Sequence, residues 1–408
     1  MELTNEQTAV VDHVTSTEGI TSVSAVSGAG KTSLLVAIAA ELKPKNACYL
    51  AYNKAIAQEA SRKFSSTVKC STTHSLAYAN TVRPFNLRVG FFSYRDIKTK
   101  MCYEDKLAVV DTLRDFCLSE FTTVSDYTDS VSTSQAVSSH VKKALDDMQE
   151  GRLDVTHEFY LKMYHILLAN GHIDCEPYDL LMLDEAGDLN PVTLEIFKLL
   201  PATRKVMVGD KNQNIYSFNG TINGFEAIGP ECTPMYMTQS FRVDEDIAES
   251  IEAFCQKELD SSMIFKGVHY DDKSIVTSAF ISRTNGALIA EMITLNRSNS
   301  PYNLVRPAKQ IFMLPLLLLG LKPHGFIANP QYKHLQVDVD EFHKGRSGST
   351  SLLSYILKVH NDDVQLRTAV GLILKYSPKG VLDAFRQAAS HEGTKHSHTL
   401  CTAHSSKG

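Results

Sequence analysis

The sequence has no tryptophan, no Cys-x-x-Cys pair, no excess of positive charge and no apolar run long enough to cross a bilayer. Lys and Arg total 41 against 46 Asp and Glu, a net charge of -5. The chain as a whole therefore has no attraction for nucleic acid or an anionic membrane, and any such site must be a local patch. Its eight cysteines are scattered, which suggests neither a disulfide framework nor a zinc site. That usage fits a reducing compartment: cytoplasm or nucleoid, or nucleus in a eukaryote. The opening MELTNEQTAVVDHV holds no basic stretch followed by an apolar one, so secretion is not expected. The longest apolar run, IFMLPLLLLGL at residues 311–321, is short and contains Pro315 and Gly320, and reads as buried core rather than as a membrane span.

What is present is the composition of a folded protein, 43% hydrophobic and 21% charged, in a chain of 408 residues that is long enough for several domains. Short β-rich stretches at residues 21–26, 47–51, 68–71, 180–183 and 205–208 each end in a polar or glycine-bearing turn followed by a helical pattern. This is the rhythm of a parallel α/β sheet, in which ligands meet the carboxyl ends of the strands. Lys31, Asn53, His74, Asp184 and Asp210 fall at those ends. The rhythm stops between residues 84 and 169, where the patterns are helical. It resumes near residue 232, with a strand at 274–282, a helix at 285–295 and a strand at 398–403. The expected organisation is two α/β domains, each with a mainly helical insertion: 1–83 with 170–231, interrupted by 84–169, then 232–300 with 391–408, interrupted by 301–390.

AVSGAGKT, residues 25–32, follows a strand and opens an amphipathic helix. Backbone amides along Ser27, Gly28, Ala29, Gly30 and Lys31 can wrap phosphates, because the glycines admit close approach and the helix start favours an anion. Lys31 adds charge, Thr32 offers a hydroxyl to Mg²⁺, and Ser33 closes the turn. LLMLDEAGDLNP, residues 180–191, delivers Asp184 and Glu185 together from an apolar strand. Adjacent carboxylates there suit a division of labour: Asp184 holds Mg²⁺ through its water shell, and Glu185 orients and deprotonates the water that attacks the γ-phosphate. The expected cofactors are ATP and Mg²⁺.

With these placed, the remaining motifs make the chain resemble the superfamily 1 DNA helicases of the UvrD/PcrA/Rep type, closest in flavour to the F-box DNA helicase branch. LTNEQ (3–7) resembles the family's Q motif, which implies that Gln7 reads the adenine edge. AYNKAIAQEA (51–60) and TTHSLA (72–77) resemble motifs that touch the single strand, implying contacts from Asn53, Lys54, Thr73, His74 and Ser75. VGDKNQNIYSFNG (208–220) resembles the motif that couples ATP to DNA, with Gln213 sensing the γ-phosphate and Tyr216 and Phe218 stacking on bases. TQSFR (238–242) implies an arginine finger at Arg242, reaching from the second RecA-like domain. FISRTNGAL (280–288) offers Arg283 to the nucleotide or the domain interface, and TLCTAHSSKG (399–408) offers Thr402, His404, Ser405 and Lys407 to DNA and the cleft.

Three departures stand out. Gly187 replaces a Gln, Asn219 replaces an Arg, and the sequence stops where relatives continue to a further motif with a second arginine finger, so the second domain is expected to be incomplete. The resemblance implies two RecA-like domains of the phosphate-loop class and a DNA-stimulated ATPase that walks on single-stranded DNA from 3′ to 5′. It implies a role in replication, recombination or repair. The implied partners are single-stranded DNA, single/double-strand junctions and loading or repair proteins, with no membrane and a monomer or weak oligomer. An ATP- and DNA-binding regulatory subunit that does not unwind is the rival reading. A small-molecule kinase leaves the THSL and AHSSKG motifs unexplained.

Overall fold

The computed structural model describes residues 3–212, 221–269, 277–327, 329, 332, 334–345, 351–360 and 363–406. They form two compact units, Met1–Asp271 and Asp272–Gly408.

The first unit is built on β1 (Gly19–Ala25), β2 (Ala47–Ala51), β3 (Val68–Thr72), β4 (Tyr178–Leu183), β5 (Ala202–Gly209) and β6 (Cys232–Met237). These pair in parallel in the order β3-β2-β4-β5-β1-β6. Around them run helices α1 (Asn5–Ser16), α2 (Lys31–Leu42), α3 (Lys54–Ala60), α4 (Thr73–Asn80), α5 (Tyr103–Leu118), α6 (Val124–Ser130), α7 (Gln135–Gln149), α8 (His157–Ala169), α9 (Pro191–Leu199), α10 (Gly224–Ala227) and α11 (Glu245–Glu258). A separate parallel pair, β7 (Gln239–Asp244) and β8 (Lys266–Val268), completes the unit.

The central strands are apolar at successive positions because both faces of the sheet are covered. Side chains alternate along a strand, and here they alternate between two cores. Tyr49, Leu180, Met182, Val206 and Val208 pack with residues of α1, α2, α3 and α11. Cys48, Leu50, Leu181, Leu183 and Met207 pack with α4, α5, α7, α8 and α9. The helical insertion therefore shares a core with the sheet. Within it the buried Lys162 ammonium donates to the carbonyls of Ser119 (2.6 Å) and Phe121 (2.7 Å), tying α8 to the end of α5. Burial lowers its pKa to about 8.

The position of β6 differs from the sequence expectation. The pattern along the chain assigns residues 232–237 to the second domain, but β6 pairs with β1 from Ile20↔Cys232 to Ala25↔Met237 and closes the edge of the first sheet. The polypeptide from 232 to 271 accordingly belongs to the first unit. A parallel partner recruited from some 200 residues away leaves no local signal in the sequence.

The second unit contains β9 (Ser278–Ser282), β10 (Asn303–Leu304) and β11 (His398–Thr402), parallel in the order β10-β11-β9. Its helices are α12 (Asn285–Arg297), α13 (Ala308–Ile311), α14 (Met313–Leu319), α15 (His334–Lys344), α16 (Leu352–Val359), α17 (Val364–Ser390) and α18 (Ala403–Ser406). α17 kinks at Ser377, where φ is +66°, just before Pro378. Ile289 and Met292 of α12 meet Phe312, Leu318, Val370, Ile373 and Leu400 in one core. The apolar run 311–321 is thus used in packing. No helix among the described residues is long and apolar enough to cross a membrane.

Candidate nucleotide and nucleic-acid site

The phosphate loop leaves β1 at Ala25, and Val26 N donates to Met237 O of the neighbouring β6 (3.0 Å). Gly28 and Gly30 both adopt φ of +80°, a left-handed conformation that costs other residues energy. Gly30 is the N-cap of α2 and provides no capping side chain, and the first intrahelical bond runs from Leu34 N to Gly30 O (2.9 Å). The amides of Lys31, Thr32 and Ser33 precede that bond and face the helix start, where an anion is favoured.

Three elements brace the loop. Thr4 and Gln7 form a reciprocal capping box on α1. The Gln7 carboxamide, buried at 5% exposure, also donates to Ala29 O (3.2 Å). Glu6 accepts from Thr238 N (2.8 Å) and Thr238 Oγ1 (2.6 Å), fixing the β6–β7 junction. Phe241 N of β7 then donates to Gly28 O (3.0 Å). A Cβ on Gly28 would stand 2.7 Å from Arg242 Cβ, so only glycine lets β7 lie so close. Arg242 is therefore held beside the phosphate loop by the first unit itself. The expectation that it reaches in from the second domain is corrected by the pairing of β6 with β1 and the contact of β7 with the loop.

Asp184 and Glu185 stand at the end of β4, opposite the loop. Lys31 Nζ lies 3.8 Å from Glu185 Oε2. Glu185 adopts φ of +56°, a conformation uncommon for a non-glycine residue. Asp184 is 5% exposed, and both its oxygens are bonded: Tyr49 OH donates to Oδ2 (2.6 Å) and Glu185 N to Oδ1 (2.9 Å). Burial raises the Asp184 pKa, and these hydrogen bonds and Lys31 oppose the shift. Burial, and then the adjoining carboxylate, push the Tyr49 hydroxyl well above its ordinary range.

Among the described residues no group of three or more His, Cys, Asp or Glu could hold a metal by itself. One carboxylate and one hydroxyl, from Asp184 and Thr32, suit Mg²⁺ that completes its shell with water and nucleotide phosphates. The donor set fits the ion.

Gly187 has a steric basis. A Cβ there would stand 2.1 Å from Asp210 O, and one on Gly209 would stand 2.6 Å from Ala186 N. The loop after the carboxylates and the end of β5 thus meet backbone to backbone. Gln213, Tyr216, Phe218 and Asn219 lie outside the described residues.

The candidate strand contacts cluster at the ends of β2 and β3. Asn53 caps α3 by accepting from Ile56 N (2.9 Å), and both Asn53 and Lys54 are exposed. Thr72 caps α4 through Ser75 N (3.1 Å), Thr73 is buried, and Ser75 is exposed. His74 Nδ1 is buried without a partner, and burial followed by the nearby His157 lowers the pKa of this ring. A cavity of about 240 Å³ has Thr73, His74, Asp184, Asp188 and Asn190 in its walls, so it runs from the carboxylate to the strand-contact residues.

In the second unit Arg283 is exposed at the end of β9. Thr402 ends β11 and caps α18 by accepting from Ser405 N (3.3 Å). The backbone of His404 lies in α18, and Lys407 lies outside the described residues. Sequence reasoning missed Tyr49, Glu6 and the loop-packing role of Ser240, whose Oγ would lie 2.8 Å from a Gly28 Cβ.

The AAA domain family (AAA_19) matches residues 7–219, more than half of the chain. The chain therefore belongs to that family, and it is similar to F-box DNA helicases. It is 25% identical over 331 residues to F-box DNA helicase 1 of Gallus gallus, covering 73% of this chain and 31% of the relative. It is 25% identical over 348 residues to F-box DNA helicase protein 1 of Schizosaccharomyces pombe, covering 72% of this chain and 39% of the relative. A probable DNA helicase II homolog of Mycoplasma genitalium is 24% identical over 124 residues, 28% of this chain and 18% of the relative. The chain thus spans between 31% and 39% of the length of the two F-box relatives.

Proposed function

We propose that this chain is an ATP-driven DNA helicase or translocase that moves 3′ to 5′ on single-stranded DNA in the nucleus or nucleoid, in replication, recombination or repair. The observation that carries the reading is the convergence of Lys31, Asp184, Glu185 and Arg242 around one loop within a single compact unit.

In this reading the amides of residues 28–33 bind the phosphates and Lys31 exchanges its Glu185 partner for them. Asp184 and Thr32 would hold Mg²⁺, which would supply charge neutralisation to the phosphates. Tyr49 aims the Asp184 carboxylate, Glu185 takes the proton of the attacking water, and Arg242 stabilises charge on the transferring phosphoryl group. A carboxamide has two N–H groups and two acceptor lone pairs. Gln7 can therefore hold Ala29 and still offer a donor and an acceptor to adenine.

Directional movement requires nucleotide state to change the grip on the strand, and the cavity joining Asp184 to Thr73 and His74 is the route this reading assigns to that coupling. Gln213, Arg283, Tyr216, Phe218, Thr402, His404 and Lys407 complete the proposed nucleotide and DNA contacts. Loading or repair proteins are the proposed partners of a monomer or weak oligomer.

The second reading, an ATP- and DNA-binding regulatory subunit, is favoured by Gly187, which removes a side chain from the carboxylate loop. Displacement assays on duplexes with a 3′ or a 5′ single-stranded tail separate the two. ATP-dependent release from the 3′-tailed duplex alone is expected; binding of ATP and DNA without release would mark the regulatory subunit.

A further inference from the structure

The segment that leaves β5 is tied to a turn that touches no part of the phosphate loop. Lys211 Nζ donates to Asp260 Oδ2 in the turn between α11 and β8. The next side chain, Asn212, reaches Met263 Sδ of the same turn (3.0 Å). That turn is closed by bonds of its own. Asp260 N donates to Cys255 O (2.9 Å) and Met263 N to Asp260 O (3.0 Å). The second Asp260 oxygen accepts from Ser262 N (2.9 Å) and Ser262 Oγ (2.7 Å). Gln256 Nε2 of α11 donates to Met263 O (2.8 Å).

Both sides of this contact lead to the phosphate site. On one side, the carbonyl of Asp210 leaves no room for a Cβ on Gly187, so the end of β5 backs the loop that follows Asp184 and Glu185. On the other, the turn runs into β8, where Phe265 N donates to Glu252 Oε2 (2.6 Å) and Lys266 N to Thr238 O (2.9 Å). β8 pairs with β7, and Gln239 Nε2 donates to Gly267 O. A Cβ on Gly267 would stand 2.7 Å from the backbone of Asp244, so the two strands meet without a side chain between them. β7 carries Arg242 and lies on Gly28. The carboxylates and Arg242 therefore stand at the two ends of one bonded series, in which Lys211 and Asp260 form a charged link.

With 32% and 26% of the two side chains exposed, such an ion pair contributes little to stability. It can still fix position, and a displacement of about 1 Å at reacting groups costs about 100-fold in rate. We propose that Lys211 and Asp260 are positioning residues for ATP hydrolysis, which hold the β7 scaffold against the end of β5 and so set Arg242 in register with Asp184 and Glu185. The inference rests on the reading of the chain as an ATPase in which Arg242 acts on the transferring phosphoryl group.

The test is ATP hydrolysis by the full chain with single-stranded DNA, for the wild type, Lys211→Met, Asp260→Asn, the two together, and Lys211→Arg. Lys211→Met keeps the length of the side chain and removes its charge. Asp260→Asn keeps an oxygen for Ser262 and presents an amide donor to the ammonium. Each single substitution should lower kcat about 10- to 100-fold with KM for ATP unchanged. The double variant should lose no more than either single one, because the pair is already broken, and Lys211→Arg should restore turnover. In single-turnover reactions, Lys211→Met should cost no further rate once Arg242→Ala is present, a result that general loosening of the unit would not give. Thermal midpoints should match the wild type. Wild-type kcat in both single variants would overturn the inference and leave the parent reading intact. So would a loss of the same size with and without Arg242→Ala. A lowered thermal midpoint with kcat intact would make the pair a packing contact and also overturn it. Absence of hydrolysis by the wild type would overturn both.

Discussion

The phosphate-loop edge and the β3-edge cavity of the first unit are built on opposite principles. At the loop, charge is held by internal bonding: Asp184 has both oxygens occupied, Gln7 grips Ala29, Glu6 grips Thr238, and β7 lies on Gly28 without room for a methyl group. At the sheet edge, in a cavity of about 420 Å³ that Tyr160 also lines, Lys69 and Arg83 have no carboxylate partner among the described residues and the Tyr78 ring faces solvent. Fixed geometry serves one reaction at one point, since preorganised groups need not move as charge develops. The contrast predicts that substitutions at the loop act on turnover far more than those at the edge.

The largest effect is expected from Arg242→Ala, with a loss of about 10³- to 10⁵-fold in kcat while ATP still binds. A loss below about ten-fold would remove the arginine from the reaction. Glu185→Gln should cost about 10²- to 10⁴-fold in kcat and retain nucleotide binding; near-normal turnover would remove Glu185 as the base. Tyr49→Phe deletes one hydroxyl and preserves the ring that packs 5.2 Å from Phe64. It should weaken divalent-ion affinity about 10- to 100-fold, read from Mn²⁺ binding to the ADP complex by electron paramagnetic resonance, with little change in thermal midpoint. Unchanged Mn²⁺ affinity would reduce this hydrogen bond to a packing detail. The smallest effect on chemistry is expected from Gly187→Ala, whose added methyl group meets Asp210 O. It should destabilise the unit by about 1 to 3 kcal/mol, seen in urea unfolding; a wild-type midpoint would show that the backbone there yields freely.

The two regions also differ in how far the sequence discloses them. The phosphate loop and the carboxylates are contiguous in sequence, and local spacing places them at strand ends. The N-caps at Asn53 and Thr72 are similarly local. Tyr49 reads as one more buried residue of β2, because its contact with Asp184 depends on the register of β2 against β4. The position of Arg242 depends on β6 pairing with β1, which joins residues 20 and 232. The β3-edge cavity needs α8 to pack on α4, bringing Tyr160 to Tyr78 across 82 residues, and nothing in either segment alone records it. Chemistry set by neighbours in sequence was legible; chemistry set by strand order and helix docking was not.

The measurement that bears most directly on the central claim is steady-state ATP hydrolysis by the chain at low salt, with and without single-stranded DNA. Turnover that rises with single-stranded DNA and disappears in Glu185→Gln is the predicted result. ATP and DNA binding with no hydrolysis under either condition would contradict the account.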